Sequence, residues 1–248
     1  KKVACKHGLM CLLHEKPFAG VNGSGKHNNW SISTDTGKNI LSPGKDPINN
    51  KVFLTFLVAI IKAVHENQDL LRISVADAGN DHRLGGNEAP PAILSMFIGT
   101  DLEKVLKCIE ENLPYNEETL NSLAIDVGVL PSFKKDTTDR NRTSPFAFTG
   151  NKFEFRMLGS TANIACPNTI LNTIVAESLD YVSDYIEGKD DIDKALNEIL
   201  KKILKEHKAI IFNGNNYAPE WVVEAESRGL LNLKSSAEAL PHYTDEKN

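Results

Sequence analysis

GVNGSGKHNNW, residues 20–30, places three glycines, three asparagines, a lysine and a histidine in eleven positions. How it is read decides the fold. Gly20, Gly25 and Lys26 fall where a phosphate-cradling loop of the form G-x-x-x-x-G-K-[ST] would put them. The next position of such a loop carries a hydroxyl for Mg²⁺, and here it is His27. That loop also opens a helix whose N-terminus faces the phosphates. Trp30-Ser31-Ile32-Ser33-Thr34 follows instead, rich in strand formers and alternating in polarity. The stretch therefore reads as strand–loop–strand: Glu15 to Val21 enters the glycines and Asn29 to Thr34 leaves them. Glycines let successive backbone N–H groups converge on an anion. A plain loop is the simpler account of the same composition.

The flanking sequence supplies helices. Residues 2–13 read as the end of one, with Val3, Cys5, Leu9, Cys11 and Leu12 on a partly apolar face. Asn49 to Glu66 is a strong helix, with Phe53, Phe56, Leu57, Ile60, Ile61 and Val64 at i, i+3, i+4 spacing. Leu70 to Ala78 reads as a short helix, and Gly79 to Pro91 as a loop broken by Gly85-Gly86 and Pro90-Pro91. Asp101 to Glu111 is helical, and Thr119 to Ile125 is a short helix or strand. Pro145 to Gly150 and Lys152 to Leu158 form two strands around a Thr149-Gly150-Asn151 turn. Ile170 to Ile186, Ile192 to His207, Ala218 to Arg228 and Ser235 to Leu240 are further helices. Strands gathered around the polar loops, with the helices clustered late, give an α+β layout.

Composition narrows the function classes. A 248-residue chain with 41% hydrophobic and 25% charged residues is ordinary for a globular protein. A net charge of −5 argues against a broad nucleic-acid surface. The longest apolar run, Val52 to Val64, is short of the ~18 residues a membrane helix needs. Cys5, Cys11, Cys108 and Cys166 are scattered with no C-x-x-C spacing, which favours free thiols in a reducing, cytoplasmic compartment. The chain begins within a helical pattern and stops without a capping element, so the expectation is an internal piece of a longer protein.

Four polar clusters could carry chemistry. Asn22 to His27 is the first. Asn80 to Pro91, with Arg83 and Glu88 around two glycines, has the make-up of a lid. Asp139-Arg140-Asn141-Arg142 offers forked donors for phosphate or carboxylate. In Lys152-Phe153-Glu154-Phe155-Arg156, strand alternation puts the three charges on one face and the rings on the other. Singly, each is also what a solvated surface looks like. Together, Arg83, Arg142, Arg156 and Lys152 make a cationic set that an acidic protein would reserve for anions. His27 and Glu154 could give one nitrogen and one oxygen ligand to Mg²⁺ or Mn²⁺.

At these residues the chain resembles the glutamine synthetase family, in its long type III form. HEKPFAGVNGSGKHNNWS (14–31) is similar to the family's Asn-Gly-Ser-Gly-x-His signature, HRLGGNEAPP (82–91) to its flap, and NRTSPFAFTGNKFEFR (141–156) to its arginine-rich strand pair. The resemblance implies a curved antiparallel sheet flanked by helices, of the glutamine synthetase/guanidino kinase kind. Residues 1–186 would be part of the catalytic domain and 187–248 a helical C-terminal extension. It implies an ATP-dependent glutamate–ammonia ligase using Mg²⁺ or Mn²⁺, assembled as a large ring, a dodecamer.

By position, the resemblance gives Asn22 and Gly23 to glutamate and His27 with Glu154 to the metal. Ser31 and Lys152 go to ATP, and Arg83 and Arg156 to the substrate carboxylates. Arg142 would face the transferring phosphate and ATP. Glu88 would be the flap acid that takes a proton from ammonium. A further phosphate-binding arginine of shorter relatives is replaced here by Phe146-Ala147-Phe148. The family's other metal-binding glutamates would lie upstream. Rival readings are a related ATP-dependent carboxylate–amine ligase and a non-catalytic binding or assembly protein.

Overall fold

The centre of the molecule is a buried helix, α2 (Lys51–Glu66). Asn50 caps it, its side chain accepting from the Phe53 amide at 3.2 Å. Val52, Val58, Ile60, Ile61 and Val64 are poor helix formers in isolation. Here packing outweighs propensity, because Phe53, Leu57, Val58, Ile60, Ile61 and Val64 are all fully buried. Each such side chain contributes about 1.5–3 kcal/mol on leaving water.

The structure, a computed structural model, describes residues 1–86, 88–116 and 143–246. Its other helices are α1 (Lys2–Lys6), α3 (Gln68–Ile73), α4 (Ala78–Arg83), α5 (Thr100–Glu111), α6 (Ala165–Ile186), α7 (Ile192–His207), α8 (Pro219–Ser227) and α9 (Ser236–Ala239). Helices α6 and α7 pack along α2, and α5 lies against α7. Among the described residues no helix is long and apolar enough to cross a membrane.

Four strands, β1 (Gly25–Trp30), β2 (Met96–Phe97), β3 (Phe146–Phe148) and β4 (Phe153–Gly159), form one sheet in the order β1-β4-β3-β2. Its two main pairs are antiparallel, and the two-residue edge strand β2 runs parallel to β3. The phenylalanines of β3 and β4 form its core face. Phe146 stacks on Phe153 at 4.8 Å between centroids, and Phe148 meets Phe53 of α2 at 6.0 Å. This is the α+β architecture expected, with helices flanking a small sheet.

Several local expectations shift. Glu15 to Val21 forms no strand, because Pro17 has no amide to donate and Gly20 sits at φ +78. The strand is Gly25–Trp30, so Lys26 and His27 lie in a ladder rather than in a loop. It ends before Thr34, and Ser33 instead bridges Asn39 across the Asp35–Lys38 turn. The N-terminal helix stops at Lys6, with Gly8 at φ +69 beyond it. Gly79–Arg83, expected as loop, is helical because the Asp77 carboxylate caps the amides of Gly79 (2.9 Å) and Asn80 (3.3 Å). The short helix expected over 70–78 is Gln68–Ile73. The segment Thr119–Ile125 and the Asp139–Arg142 cluster lie outside the described residues.

Candidate active site

The site grows from the pairing of β1 with β4. Lys26 faces Leu158 and Asn28 faces Phe155, so Arg156 and Met157 together oppose the single residue His27. This is a β-bulge, a device that re-aims side chains beside functional sites. On β1, Asn28 and Trp30 turn inward, donating to Asn168 Oδ1 (2.7 Å) and Asn172 Oδ1 (2.9 Å) of α6. His27 and Asn29 therefore face out, on the side where β4 presents Glu154.

There the charges converge. Glu154 Oε2 accepts from Arg156 Nη2 at 3.1 Å and Nε at 3.3 Å, and lies 3.5 Å from His27 Nδ1. Arg156 is buried, with Nη1 also donating to the Ser144 carbonyl at 3.5 Å. Burial first, and the Arg156 cation second, hold the His27 imidazole below its ordinary pKa, although Glu154 pulls the other way. A neutral imidazole keeps a lone pair for a metal. His27 and Glu154 thus fit one side of a divalent-cation site. Among the described residues, no third His, Cys, Asp or Glu joins them at ligand spacing.

Arg83 lies beneath. It is buried, and donates from Nη1 to Asn80 Oδ1 (3.1 Å) and Met157 O (3.3 Å), and from Nη2 to Arg156 O (3.1 Å). Asn80, itself buried, completes the clamp by donating to Val75 O (2.9 Å) and Met157 O (2.8 Å). Helix α4 is thereby stapled to β4. Two glycines make room for the arginine. A Cβ on Gly25 would lie 2.0 Å from Arg83 Nη2, and one on Gly23 would lie 2.9 Å from Glu15 O and 3.0 Å from Arg83 Cγ. Asn22 is exposed beside Gly23.

The nucleotide candidates gather at the opposite end of β1. Ser31 Oγ donates to Asn151 O (2.7 Å) and accepts from Asn39 Nδ2 (3.0 Å), which brings Ser31 to the turn carrying Lys152. Glu88 sits exposed on a short flap closed by Gly85 N–H to Pro90 O at 2.9 Å, with its own φ at +67. A non-glycine residue held in that region is strained, and such strain concentrates at working sites. Arg142 lies outside the described residues.

Three residues escaped the sequence reading. Glu15, 5% exposed, binds the Thr161 amide (3.0 Å) and hydroxyl (2.6 Å) behind the site. Asn80 was read as part of a loop. Tyr217 arrives from far along the chain, with Glu88, Arg83 and Arg156 all within electrostatic reach of its phenol. No spacing pattern could have found it.

Fold and geometry define a catalytic-type α+β domain with a cationic, carboxylate-bearing site on one sheet face. The glutamine synthetase catalytic-domain family matches residues 1–77, and the glutamine synthetase C-terminal-domain family matches residues 195–248. The chain is 52% identical over its whole length to a type-3 glutamine synthetase of Dictyostelium discoideum, covering 34% of that protein. It is 49% identical to a glutamine synthetase of Bacteroides fragilis and 50% identical to one of Butyrivibrio fibrisolvens, again over its whole length and 35% of theirs. The chain belongs to the glutamine synthetase family. It spans about a third of the length of these relatives.

Proposed function

We propose that this chain supplies part of the catalytic site of an ATP-dependent glutamate–ammonia ligase. The γ-carboxylate of glutamate is a poor electrophile. Its oxygen first attacks the γ-phosphorus of ATP, giving γ-glutamyl phosphate and ADP. Ammonia then attacks the carbonyl carbon, and phosphate leaves with the C–O bonding pair. Arg156 and Arg83 would hold the substrate carboxylates and the charge gathered on the phosphoryl oxygens. Asn22 and Gly23 present the amino-acid side of the site, and Ser31 with Lys152 the nucleotide side. Glu88 takes the proton that ammonium must lose before its nitrogen can attack. A flap over an acyl phosphate also keeps out water that would hydrolyse it.

The family implies a divalent cation. His27 and Glu154 would hold it, and it would offset negative charge on the phosphates. The ring-shaped homo-oligomer, the use of Mg²⁺ or Mn²⁺ and a cytoplasmic location belong to the same proposal; four free cysteines accord with the last. So does a boundary near residue 187, where the C-terminal extension would begin; the second family match starts at 195.

The observation that carries the reading is Glu154, shared between His27 at 3.5 Å and Arg156 at 3.1 Å. In the full-length protein, Glu154→Ala should abolish glutamine formation while the oligomer persists in sedimentation. Near-normal turnover in that variant would remove Glu154 from the site. A full-length protein that binds ATP but forms no glutamine would favour the non-catalytic rival.

A further inference from the structure

Near its C-terminal end the chain forms a short 3-10 helix, Leu240–Thr244, which packs on α3. A turn of such a helix takes three residues, so side chains at i and i+3 eclipse one another. His242 and Asp245, the latter just past the helix end, have that spacing, and the Asp245 amide donates to the His242 carbonyl at 3.2 Å. Their side chains meet, with His242 Nδ1 2.8 Å from Asp245 Oδ2. The same nitrogen lies 3.9 Å from Asp69 Oδ2 of α3. One ligand atom from each of the three residues lies within 4.8 Å of the other two.

Hydrogen bonding joins this nitrogen to Asp245, but at 3.9 Å it does not reach Asp69. The geometry suits a shared ion better. Around a four-coordinate ion with bonds of about 2.0–2.2 Å, neighbouring ligand atoms stand about 3.3–3.6 Å apart. The two distances to Nδ1, 2.8 and 3.9 Å, straddle that edge. Asp69 is fully buried, and its other oxygen, Oδ1, accepts from the Leu70 amide at 2.9 Å. A supporting hydrogen bond of this kind fixes the direction in which a carboxylate offers its free oxygen to a metal. Two carboxylates and a neutral imidazole together carry two negative charges, which one divalent cation cancels. The group is sealed on the Asp69 side and open on the other, where the Asp245 side chain is 42% exposed. That opening gives an ion a way in and leaves room for water as a fourth ligand.

We propose that Asp69, His242 and Asp245 form a Zn²⁺ site that joins the C-terminal turn to α3. On binding, the imidazole takes the tautomer protonated at Nε2, and Nδ1 turns its lone pair to the metal. One nitrogen and two oxygens without a thiolate are an accepted zinc donor set, and by the usual order of affinities they hold Zn²⁺ more tightly than Mn²⁺. The ion braces the turn against α3. Arg72 of α3 pairs with Asp81 of α4 at 2.6 Å, and α4 also carries Arg83. The brace therefore stiffens a support of the candidate active site as well as the C-terminal segment. Zinc binding here does not depend on ligase activity.

The test is the zinc content of the full-length protein after dialysis against Zn²⁺ with Mg²⁺ in excess. His242→Ala and Asp245→Asn should each retain about one equivalent of Zn²⁺ per chain fewer than the wild type. Both positions lie toward solvent, so neither change leaves the buried gap that one at Asp69 would. Added Zn²⁺ should also raise the thermal midpoint of the wild type more than that of either variant, since an ion that binds only the folded state stabilises it. Equal zinc content in the wild type and both variants would overturn the proposal. So would a midpoint that Zn²⁺ moves equally in all three.

Discussion

Arg83 shows how a side chain proposed for substrate binding is first a structural one. Its guanidinium is spread over two strand carbonyls and Asn80, so the charge is fixed to within hydrogen-bond tolerance before any substrate arrives. That fixation depends on an absent atom. Gly25 has an ordinary backbone conformation that alanine could adopt, yet a methyl there would stand 2.0 Å from Arg83 Nη2. Gly25→Ala should therefore displace the arginine rather than unfold the strand. The expected outcome is a KM for glutamate raised about tenfold or more, with a thermal midpoint close to wild type. The residues around this site were only partly legible. Repeated charge at Glu154 and Arg156 and the glycines near His27 announced a polar site. The roles of Glu15 and Asn80 depend on contacts across 146 and 77 residues, which no local pattern encodes.

At the level of elements, the best-read helices are those whose apolar period is strong, such as α2 and α7. Helix α4 was lost among glycines, although Asp77 three residues before Asn80 was a visible cap signal. The strand β1 was placed too late because its glycine and asparagines look like turn residues. They serve here as inward and outward positions of a ladder. The α2–α7 contact carries a pH response. His65 Nδ1 and His207 Nδ1 lie 3.0 Å apart, with Glu66 and Glu206 near the His207 ring. Burial, then His207, holds His65 below its ordinary pKa. Burial and, more weakly, Lys62 hold His207 below its own, against the pull of the two glutamates. Both imidazoles bind protons less readily folded than unfolded. Their contribution is thus intact above about pH 6.5 and is lost as the pH falls below it. A thermal-midpoint series from pH 8 to pH 5 should drop across that window, and His65→Gln should flatten the drop.

Over the whole molecule, the C-terminal segment is strapped to the site's supports rather than trailing from them. Buried Arg72 pairs with Asp81 at 2.6 Å and donates to Leu233 O at 2.8 Å, while the Ser236 amide donates to Asp81 at 2.6 Å. Burial alone would raise the Asp81 pKa, but these partners hold it below the usual carboxylate value. Asp81 is two residues from Arg83, so the strap and the site share one short helix. Asp81→Ala would leave the Arg72 cation buried without its counter-charge. The expected cost is about 3–5 kcal/mol, and limited proteolysis should cut first near residues 230–246. A second expectation at this scale concerns completeness. Spanning about a third of the length of its relatives, and with His27 and Glu154 the two ligand candidates at this site among the described residues, the purified 248-residue chain should form no glutamine, and a coupled assay for ADP release checks it.

The extra residue in β4 has a consequence for how this sequence can change. Arg156 and Met157 share one place across from His27, so the partners beyond them are counted from a ladder already stepped by one. Lose that extra codon and the ladder closes up, with Leu158 still across from Lys26; lose a codon past the bulge, and Gly159 would move into the place of Leu158. Gly159, whose bare Cα leaves space for the Glu15 carboxylate, would no longer stand opposite it. A change in the length of this strand can be absorbed only at its bulge.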